Sequence, residues 1–209
     1  MRLPSGKTTR HFQAAGIAVF SLVLCAAANA QVPTSGNVFF GYSFENAAAS
    51  SFDLANLGRP NLNGWEASLE GKVFPLLSVV VDFGGHYGSQ SYQTPLPPNG
   101  TIGTVDVNGH EFTVLFGPRV SVPVGKFRPF AEALFGAAHI NTTSTSSQVL
   151  VDNFMQPSDT SFATALGGGL DYKIIKPIAW RLQGDYVQTR FFSTTQNNVK
   201  ISTGIVFRF

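Results

Sequence analysis

The sequence predicts an all-β protein, an eight-stranded antiparallel up-and-down transmembrane β-barrel. Three observations support this prediction: eight segments alternate between apolar and other residues, the connections between them alternate between short and long, and the chain opens with an export signal. Successive side chains of a strand point to opposite faces, so alternation gives each strand one apolar and one polar face. Membrane-spanning strands show this pattern in segments of about ten residues.

The first 30 residues have the anatomy of a secretory signal peptide. Three basic residues precede an apolar stretch at 14–24, and a small-x-small cleavage site, Ala-Asn-Ala, follows it. The apolar stretch is too short to be a convincing membrane-spanning helix. We therefore predict cleavage at about Ala30/Gln31 and one barrel domain over 31–209.

Removal of this peptide changes the charge and the cysteine content of the chain. The peptide holds three of the 14 basic residues, none of the 12 acidic residues and the only cysteine, Cys25. The mature 179 residues then carry 11 basic and 12 acidic residues and no thiol, which excludes disulfides and a basic surface for nucleic acid. A lipid anchor on Cys25 is disfavoured because Leu24 stands where lipoprotein processing needs a small residue.

Eight alternating segments follow one another along the mature chain. In the second segment, for example, Trp65 and Ala67 are interleaved with glutamates. The fifth segment is the least regular, because Phe130 shares a face with charged residues. Pro118 and Pro129 fall inside strands, where a missing N–H weakens the ladder, so we expect bulges there. The segments are 38–45, 65–73, 79–87, 111–122, 127–139, 162–173, 178–186 and 199–209.

The connections between these segments alternate in length. Short connections occupy 74–78, 123–126 and 174–177, long polar ones occupy 46–64, 88–109 and 141–160, and an intermediate one occupies 191–197. Short periplasmic turns and long extracellular loops are typical of outer-membrane barrels, and this order places both termini in the periplasm. The stretches 95–100 and 141–147 have the composition of flexible loops.

The last segment alternates apolar residues up to a terminal aromatic residue. In steps of two from the end it contains Phe209, Phe207, Ile205, Thr203, Ile201 and Val199. It resembles the closing strand of bacterial outer-membrane barrels, in which a terminal Phe and alternate apolar residues form the assembly signal. Together with the signal peptide and the loop pattern, the mature chain resembles the OmpA-like, OmpX-like and opacity-protein eight-stranded barrels. The resemblance assigns the assembly signal to Phe209, Phe207, Ile205 and Ile201.

The resemblance implies a monomeric protein of the bacterial outer membrane. Its partners would be outer-membrane lipid and lipopolysaccharide, the barrel assembly machinery during insertion, and an extracellular partner that the sequence does not identify. The implied role is structural or one of surface interaction through the extracellular loops. No peptidoglycan-binding domain is expected after the closing strand, and no cofactor is expected.

Charged residues fall mainly on one face of the predicted strands. Lipid accepts charge only at a high free-energy cost, so this face should line the lumen. An eight-stranded barrel has room inside only for side chains, which favours a lumen plugged by paired charges over a gated pore or small-solute channel. The predicted inward residues are Glu45, Glu66, Glu70, Asp82, Glu111, Glu132, Asp171 and Asp185, with Lys72, Arg119, Arg128, Lys173, Arg181, Lys200 and Arg208.

Three histidines lie near the predicted extracellular rim. Some small outer-membrane barrels are lipid-A-modifying acyl hydrolases or acyltransferases that use a His and a Ser there. By strand parity His86 points inward, with Ser89 and Ser91 following it, whereas His110 and His139 point outward. A catalytic or metal site would need help from loops, so we predict that the protein is not an enzyme and keep a lipid-modifying enzyme as the alternative.

Strand parity alone does not say which face is inside. A soluble ligand-binding barrel of the lipocalin type would turn the apolar faces inward, and the terminal Phe and the loop asymmetry favour the opposite arrangement. The aromatic residues then form an interfacial girdle, which explains them better than sugar stacking does. They are Tyr42, Trp65, Tyr87, Tyr172, Trp180 and Tyr186.

Overall fold

A computed structural model of the chain describes residues 35–46, 61–96, 101–146 and 158–209. The predicted signal peptide lies outside the described residues. The strands are β1 (Gly36–Asn46), β2 (Asn61–Lys72), β3 (Leu77–Leu96), β4 (Thr101–Ser121), β5 (Phe127–Ser146), β6 (Ser158–Lys173), β7 (Ile178–Thr189) and β8 (Gln196–Arg208), with a short 3-10 turn at Phe191–Ser193.

Each strand pairs antiparallel with the next one in the chain, and β8 pairs with β1, so the sheet closes on itself. This confirms the predicted fold class, an eight-stranded up-and-down barrel. Within the described residues, no helix has the length and apolar character needed to cross a membrane. The three short turns lie at one end of the barrel, called here the turn end, and the strand ends that the other four connections join lie at the opposite end, the loop end.

Three strands are much longer than the alternation predicted. Loops are predicted at 88–109 and 141–160, whereas β3 runs to Leu96, β4 starts at Thr101 and β5 runs to Ser146. The Ser, Thr, Asn and Gln residues of these stretches read as loop composition, yet they pair across strands in unbroken register. The loop predictions are therefore wrong for the described parts of these stretches, because pairing between strands overrode local composition.

Neither proline produces the expected bulge. Val79 pairs with Pro118, and Pro129 pairs with Leu170, in ladders that keep one register throughout. Between β4 and β5 the pairing skips Gly117 and Pro118 and resumes in the same register at Arg119. A local gap in the ladder thus accommodates the missing N–H without an extra residue.

The polar faces of the strands are buried and the apolar faces are exposed. Phe40 and Leu166 are 61% and 63% exposed, whereas the side chains of Arg119 and Arg181 are buried in the lumen. This is the predicted arrangement of faces and the reverse of what a lipocalin-type barrel requires. The lumen also contains apolar residues, which fill space between the charged groups: Phe39, Val80, Leu115, Leu134, Ile140 and Val206 among others.

Candidate functional site

Seven charged side chains meet in the half of the lumen nearest the turns. Arg119 lies at the centre, where Nη1 donates to Glu70 at 3.0 Å and Nε donates to Glu132 at 2.7 Å. Arg181 donates from Nε to Oδ1 of Asp171 at 2.7 Å and from Nη2 to Oδ2 at 3.2 Å. We call this group the turn-end cluster: Glu70, Arg119, Arg128, Glu132, Asp171, Arg181 and Arg208.

Two aromatic rings hold the guanidinium groups of this cluster in place. The ring of Phe130 lies 4.3 Å from the guanidinium carbon of Arg119 and 4.7 Å from that of Arg181, and Arg181 also lies 5.0 Å from the ring of Phe39. Gly169 faces Phe130 across the ladder, and a Cβ there would lie 2.7 Å from the ring. The irregular fifth segment therefore places an aromatic side chain between two cations, where cation–π attraction is favourable.

The half of the lumen nearest the loops has a different charge balance. Lys200 Nζ lies 3.0 Å from Glu66, 3.4 Å from Asp82 and 3.4 Å from Asp185. Gln183 links two of these carboxylates, since its amide donates to Glu66 at 3.0 Å and to Asp185 at 2.9 Å. The loop-end cluster is Glu45, Glu66, Asp82, Glu111, Asp185 and Lys200, in which one ammonium faces five carboxylates.

Two of the basic residues predicted for the lumen network lie outside both clusters. Lys72 is exposed at the turn end of β2, and Lys173 is half-buried at the turn end of β6. The remaining predicted network residues are brought together inside the barrel. The two clusters therefore hold eight acidic and five basic residues rather than the predicted eight and seven, and four of the five basic residues lie near the turns.

A serine, a histidine and a carboxylate line up at the top of the loop-end cluster. His86 Nε2 lies 2.8 Å from Oγ of Ser43, and His86 Nδ1 lies 3.3 Å from Oε2 of Glu45. Gly64 pairs with both Ser43 and His86, so His86 reaches across β2 at a position that carries no side chain. Ser43 was not predicted from the sequence as a site residue, because no local motif links it to His86.

Burial of these three side chains and their other hydrogen bonds limit the chemistry that they can perform. Ser43, His86 and Glu45 are all buried, and Ser202 also donates to Ser43 at 2.9 Å. Glu111 is buried opposite His86, and neither of its carboxylate oxygens has a hydrogen-bond partner among the described residues. No group of three His, Cys, Asp or Glu side chains in the described part of the chain is placed to hold a metal ion.

The other histidines do not join His86. His110 and His139 are exposed on the outside of the barrel, where His139 Nδ1 lies 2.8 Å from Oγ1 of Thr160. Ser89 and Ser91 are exposed as well, and Ser91 donates to Asp106 at 2.5 Å. Apart from His86, the residues that suggested a rim site from sequence are therefore spread over the outer wall.

Comparison with known proteins identifies similar structures only. No protein-family model matches the chain, and no curated protein matches it. One similar structure is that of Ail, the attachment invasion locus protein of Yersinia pestis, in complex with the heparin analogue sucrose octasulfate. It aligns with a TM-score of 0.55 and 14% sequence identity, and the alignment covers 84% of this chain and 98% of the Ail chain. Neisserial surface protein A aligns with a TM-score of 0.53 and 14% sequence identity, and the alignment covers 83% of this chain and 97% of the Neisserial chain. The chain has the fold of the eight-stranded outer-membrane β-barrels.

The outer wall of this outer-membrane barrel fold carries an apolar band between two aromatic rows. Tyr42, Tyr87 and Tyr186 are exposed towards the loop end, and Phe127 and Trp180 are exposed towards the turn end. Between them the described outward residues are Val, Leu, Ile, Phe, Ala, Gly, Thr and Pro. Such a band with aromatic borders matches the hydrocarbon and interfacial layers of a membrane.

Proposed function

We propose that the mature chain is a monomeric bacterial outer-membrane protein with a closed lumen, which meets a partner outside the cell through its loop end. The apolar band and the fold support the membrane location. The observation that carries the proposal is the sheet that β3, β4 and β5 extend beyond the described parts of the other strands.

This projecting sheet exceeds what a membrane crossing needs. β4 has 21 residues, which corresponds to roughly 70 Å of strand, whereas a transmembrane strand needs about 9–11 residues. The pairing of β3 with β2 ends at Tyr87, and the pairing of β5 with β6 ends at Asn141, within the described residues. Among the described residues, the projecting parts of β3 and β5 are paired with β4 alone, and we infer that an extended peptide adds to an outer edge of this sheet.

The charge of the loop end favours a partner that is not a polyanion. Ail binds a heparin analogue in the structure named above, which is a property of Ail. In this chain the segments 46–64, 88–109, 141–160 and 190–197 contain two Lys or Arg residues, Arg59 and Arg190, against four aspartates, Asp53, Asp106, Asp152 and Asp159. We infer that recognition uses backbone hydrogen bonds and neutral side chains, as in addition of a strand to a sheet edge.

A shortened variant tests this role. Cell fractionation and heat-modifiable gel migration first establish whether the chain is a folded outer-membrane barrel. Replacing 88–109 with a short turn removes the β3–β4 projection and leaves the membrane band intact. Selection of displayed peptides on the purified protein should then enrich extended sequences that bind the full chain and not the shortened one. Failure to select any such peptide would reject the edge as the interaction surface.

Assembly is proposed to depend on the terminal aromatic residue. Phe209 and Gly36 exchange two backbone hydrogen bonds of 2.9 and 3.0 Å, while the Phe209 side chain is exposed. An exposed ring adds little to the folded barrel, so its role would lie in recognition by the assembly machinery. Deletion of Phe209 should leave the chain periplasmic or degraded, whereas Phe209→Tyr should preserve assembly. Normal outer-membrane levels of the deletion would refute this.

The closed lumen separates this proposal from a small-solute channel. Interlocked ion pairs and the rings of Phe39 and Phe130 fill the barrel, and eight strands leave little bore. Purified wild-type protein in planar bilayers should be electrically silent, and Arg181→Ala should show sporadic small openings. Steady porin-sized openings of the wild type would establish the channel instead.

The aligned Ser43, His86 and Glu45 favour a lipid-modifying or other acyl enzyme as the second candidate. Their order matches a nucleophile, a base and an orienting carboxylate. Burial of all three opposes this candidate. Treatment with a small fluorophosphonate followed by mass spectrometry distinguishes an enzyme from a structural hydrogen bond. Labelling of Ser43 that is abolished by His86→Asn would support an enzyme. Absence of labelling in the folded barrel would support a structural hydrogen bond between Ser43 and His86.

A further inference from the structure

The outer wall carries a polar cleft just above the aromatic border at the loop end. Its volume is about 450 Å³, and it lies where β2, β3 and β4 meet the level of the rim. The side chains that line it all point away from the lumen. They are Asn61, Asn63, Tyr87, Ser89, Asn108 and His110.

The floor of the cleft is an aromatic group held in a fixed orientation. The ring of Tyr87 meets the ring of His110 edge-on at 5.3 Å and that of Phe112 at 5.8 Å. Trp65 lies one position nearer the turns on the same face, and a Cβ at Gly85 would lie 2.6 Å from its Nε1. The glycine therefore lets the indole lie across β3 directly beneath the cleft.

The walls of the cleft are carboxamides whose oxygens are already engaged. Asn46 donates to Oδ1 of Asn61 at 2.9 Å, and the Tyr42 hydroxyl donates to Oδ1 of Asn63. These bonds fix the two side chains and leave their NH₂ groups as donors. Asn108 and Ser89 add further donors and acceptors on the opposite wall.

The charge of the cleft selects the class of ligand. No Lys, Arg, Asp or Glu is among its lining residues in the described part of the chain, so a phosphate or carboxylate finds no permanent counter-charge. Fixed amides and hydroxyls suit the hydroxyl groups of a sugar, and an aromatic ring suits its apolar face. The cleft also lies at the depth of lipid headgroups if the apolar band lies in hydrocarbon.

We propose that this cleft binds an uncharged core sugar of a glycolipid in the outer leaflet. The inference rests on the proposed outer-membrane location, which supplies the ligand. It assigns to Tyr87 and the rim amides a recognition role beyond that of an interfacial girdle. The sugar portion is recognised, and the phosphates and acyl chains of the lipid are not.

A single-tryptophan reporter tests the proposal. The chain has two tryptophans, so Trp180→Phe leaves Trp65 beneath the cleft as the only one. The protein is placed in phosphatidylcholine nanodiscs and titrated with rough-type lipooligosaccharide, with the core oligosaccharide released from it, and with lipid A that lacks core sugars. We expect saturable changes in Trp65 emission with the first two probes and no change with lipid A.

Two variants assign any signal to the cleft. Asn63→Ala in the reporter background should weaken binding about fivefold, as expected for the loss of one hydrogen bond. Gln188→Ala is the matched control, because Gln188 is an exposed carboxamide at the rim on β7, outside the cleft. A Trp65 response to lipid A alone, or equal affinities of the two variants, would overturn the proposal. Because the nanodiscs are made in vitro, failure here is distinct from failure of the fractionation that tests the outer-membrane location.

Discussion

Arg119 and Glu132 lie directly opposite each other on β4 and β5, and a 2.7 Å hydrogen bond joins Nε of the guanidinium to the carboxylate. Both side chains are buried, and Arg119 also donates to Glu70. One guanidinium thus connects three strands, because Glu70 lies on β2. The turn-end cluster is organised around this residue.

Replacing Arg119 should destabilise the barrel strongly. Arg119→Met leaves Glu132 without its main cation, and an unpaired buried charge costs about 3–5 kcal/mol in the free energy of unfolding. Urea titration in lipid vesicles with linear extrapolation measures this quantity. Lys72→Met is the control, since Lys72 is exposed, and it should change the free energy of unfolding by less than about 0.5 kcal/mol.

A double variant tests whether Arg119 and Glu132 interact directly. Arg119→Met/Glu132→Leu should lose less free energy of unfolding than the sum of the losses of the two single variants. Additive losses would argue against a direct pair.

Lys200 should be the most sensitive residue of the loop-end cluster. Lys200→Met keeps most of the side-chain length and removes the ammonium that three carboxylates share. We expect a loss of about 3–5 kcal/mol in the same unfolding assay. Lys173→Met, a lysine outside both clusters, should have a much smaller effect.

A second substitution identifies the cause of the Lys200 effect. Removing one of the stranded charges with Asp82→Asn should restore part of the stability of Lys200→Met, although Asp82→Asn alone should not stabilise the wild type. No recovery in the double variant would mean that Lys200 acts through packing rather than charge.

Replacement by alanine should have different effects on stability at two glycines, Gly64 and Gly184. A Cβ at Gly64 would lie 1.9 Å from the carbonyl oxygen of Gly85 and would block the gap through which His86 reaches Ser43. Gly64→Ala should therefore destabilise the barrel by about 1–3 kcal/mol, as overpacking does. At Gly184 nothing lies within 4 Å of a Cβ, so Gly184→Ala should be neutral or stabilise by up to about 1 kcal/mol. Thermal unfolding of the two variants side by side checks this, and equal melting temperatures would contradict it.

Depth in the apolar band should set the effect of a new charge on the outer wall. Leu182 and Gln188 share the outward face of β7, with Leu182 in the band and Gln188 at the rim. Leu182→Arg should cost about 2–4 kcal/mol in vesicles, and Gln188→Arg about 0–1 kcal/mol. A larger loss at Gln188 would show that this face does not meet hydrocarbon.

The sequence allowed us to predict which face of each strand lines the lumen, but not which luminal side chains contact one another. Asp82 and Arg181 could be placed in the lumen because alternation and the cost of charge in lipid leave no other face. Gln183 and Glu66 are 117 positions apart, and their contact exists only because the sheet closes. One sequence gives neither the register nor the shear of the closed sheet, so pairing across the barrel lay beyond it.

Local amino-acid composition gave wrong predictions of secondary structure where pairing between strands determines it. The Ser and Thr residues at the end of β5 suggested a loop, and the adjacent β4 holds them as strand. Phe130 broke the alternation of the fifth segment, and that irregularity marked the aromatic ring between Arg119 and Arg181. The contact of His86 with Ser43 depends on a missing side chain at Gly64, which no local pattern indicates.

The unequal halves of the lumen make the barrel electrically polar along its axis. Five carboxylates and one ammonium lie towards the loops, and three carboxylates and four guanidinium groups lie towards the turns. Such a barrel has a preferred direction in any field perpendicular to the membrane. A transmembrane potential of either sign would therefore give the two orientations of the folded barrel different electrostatic free energies.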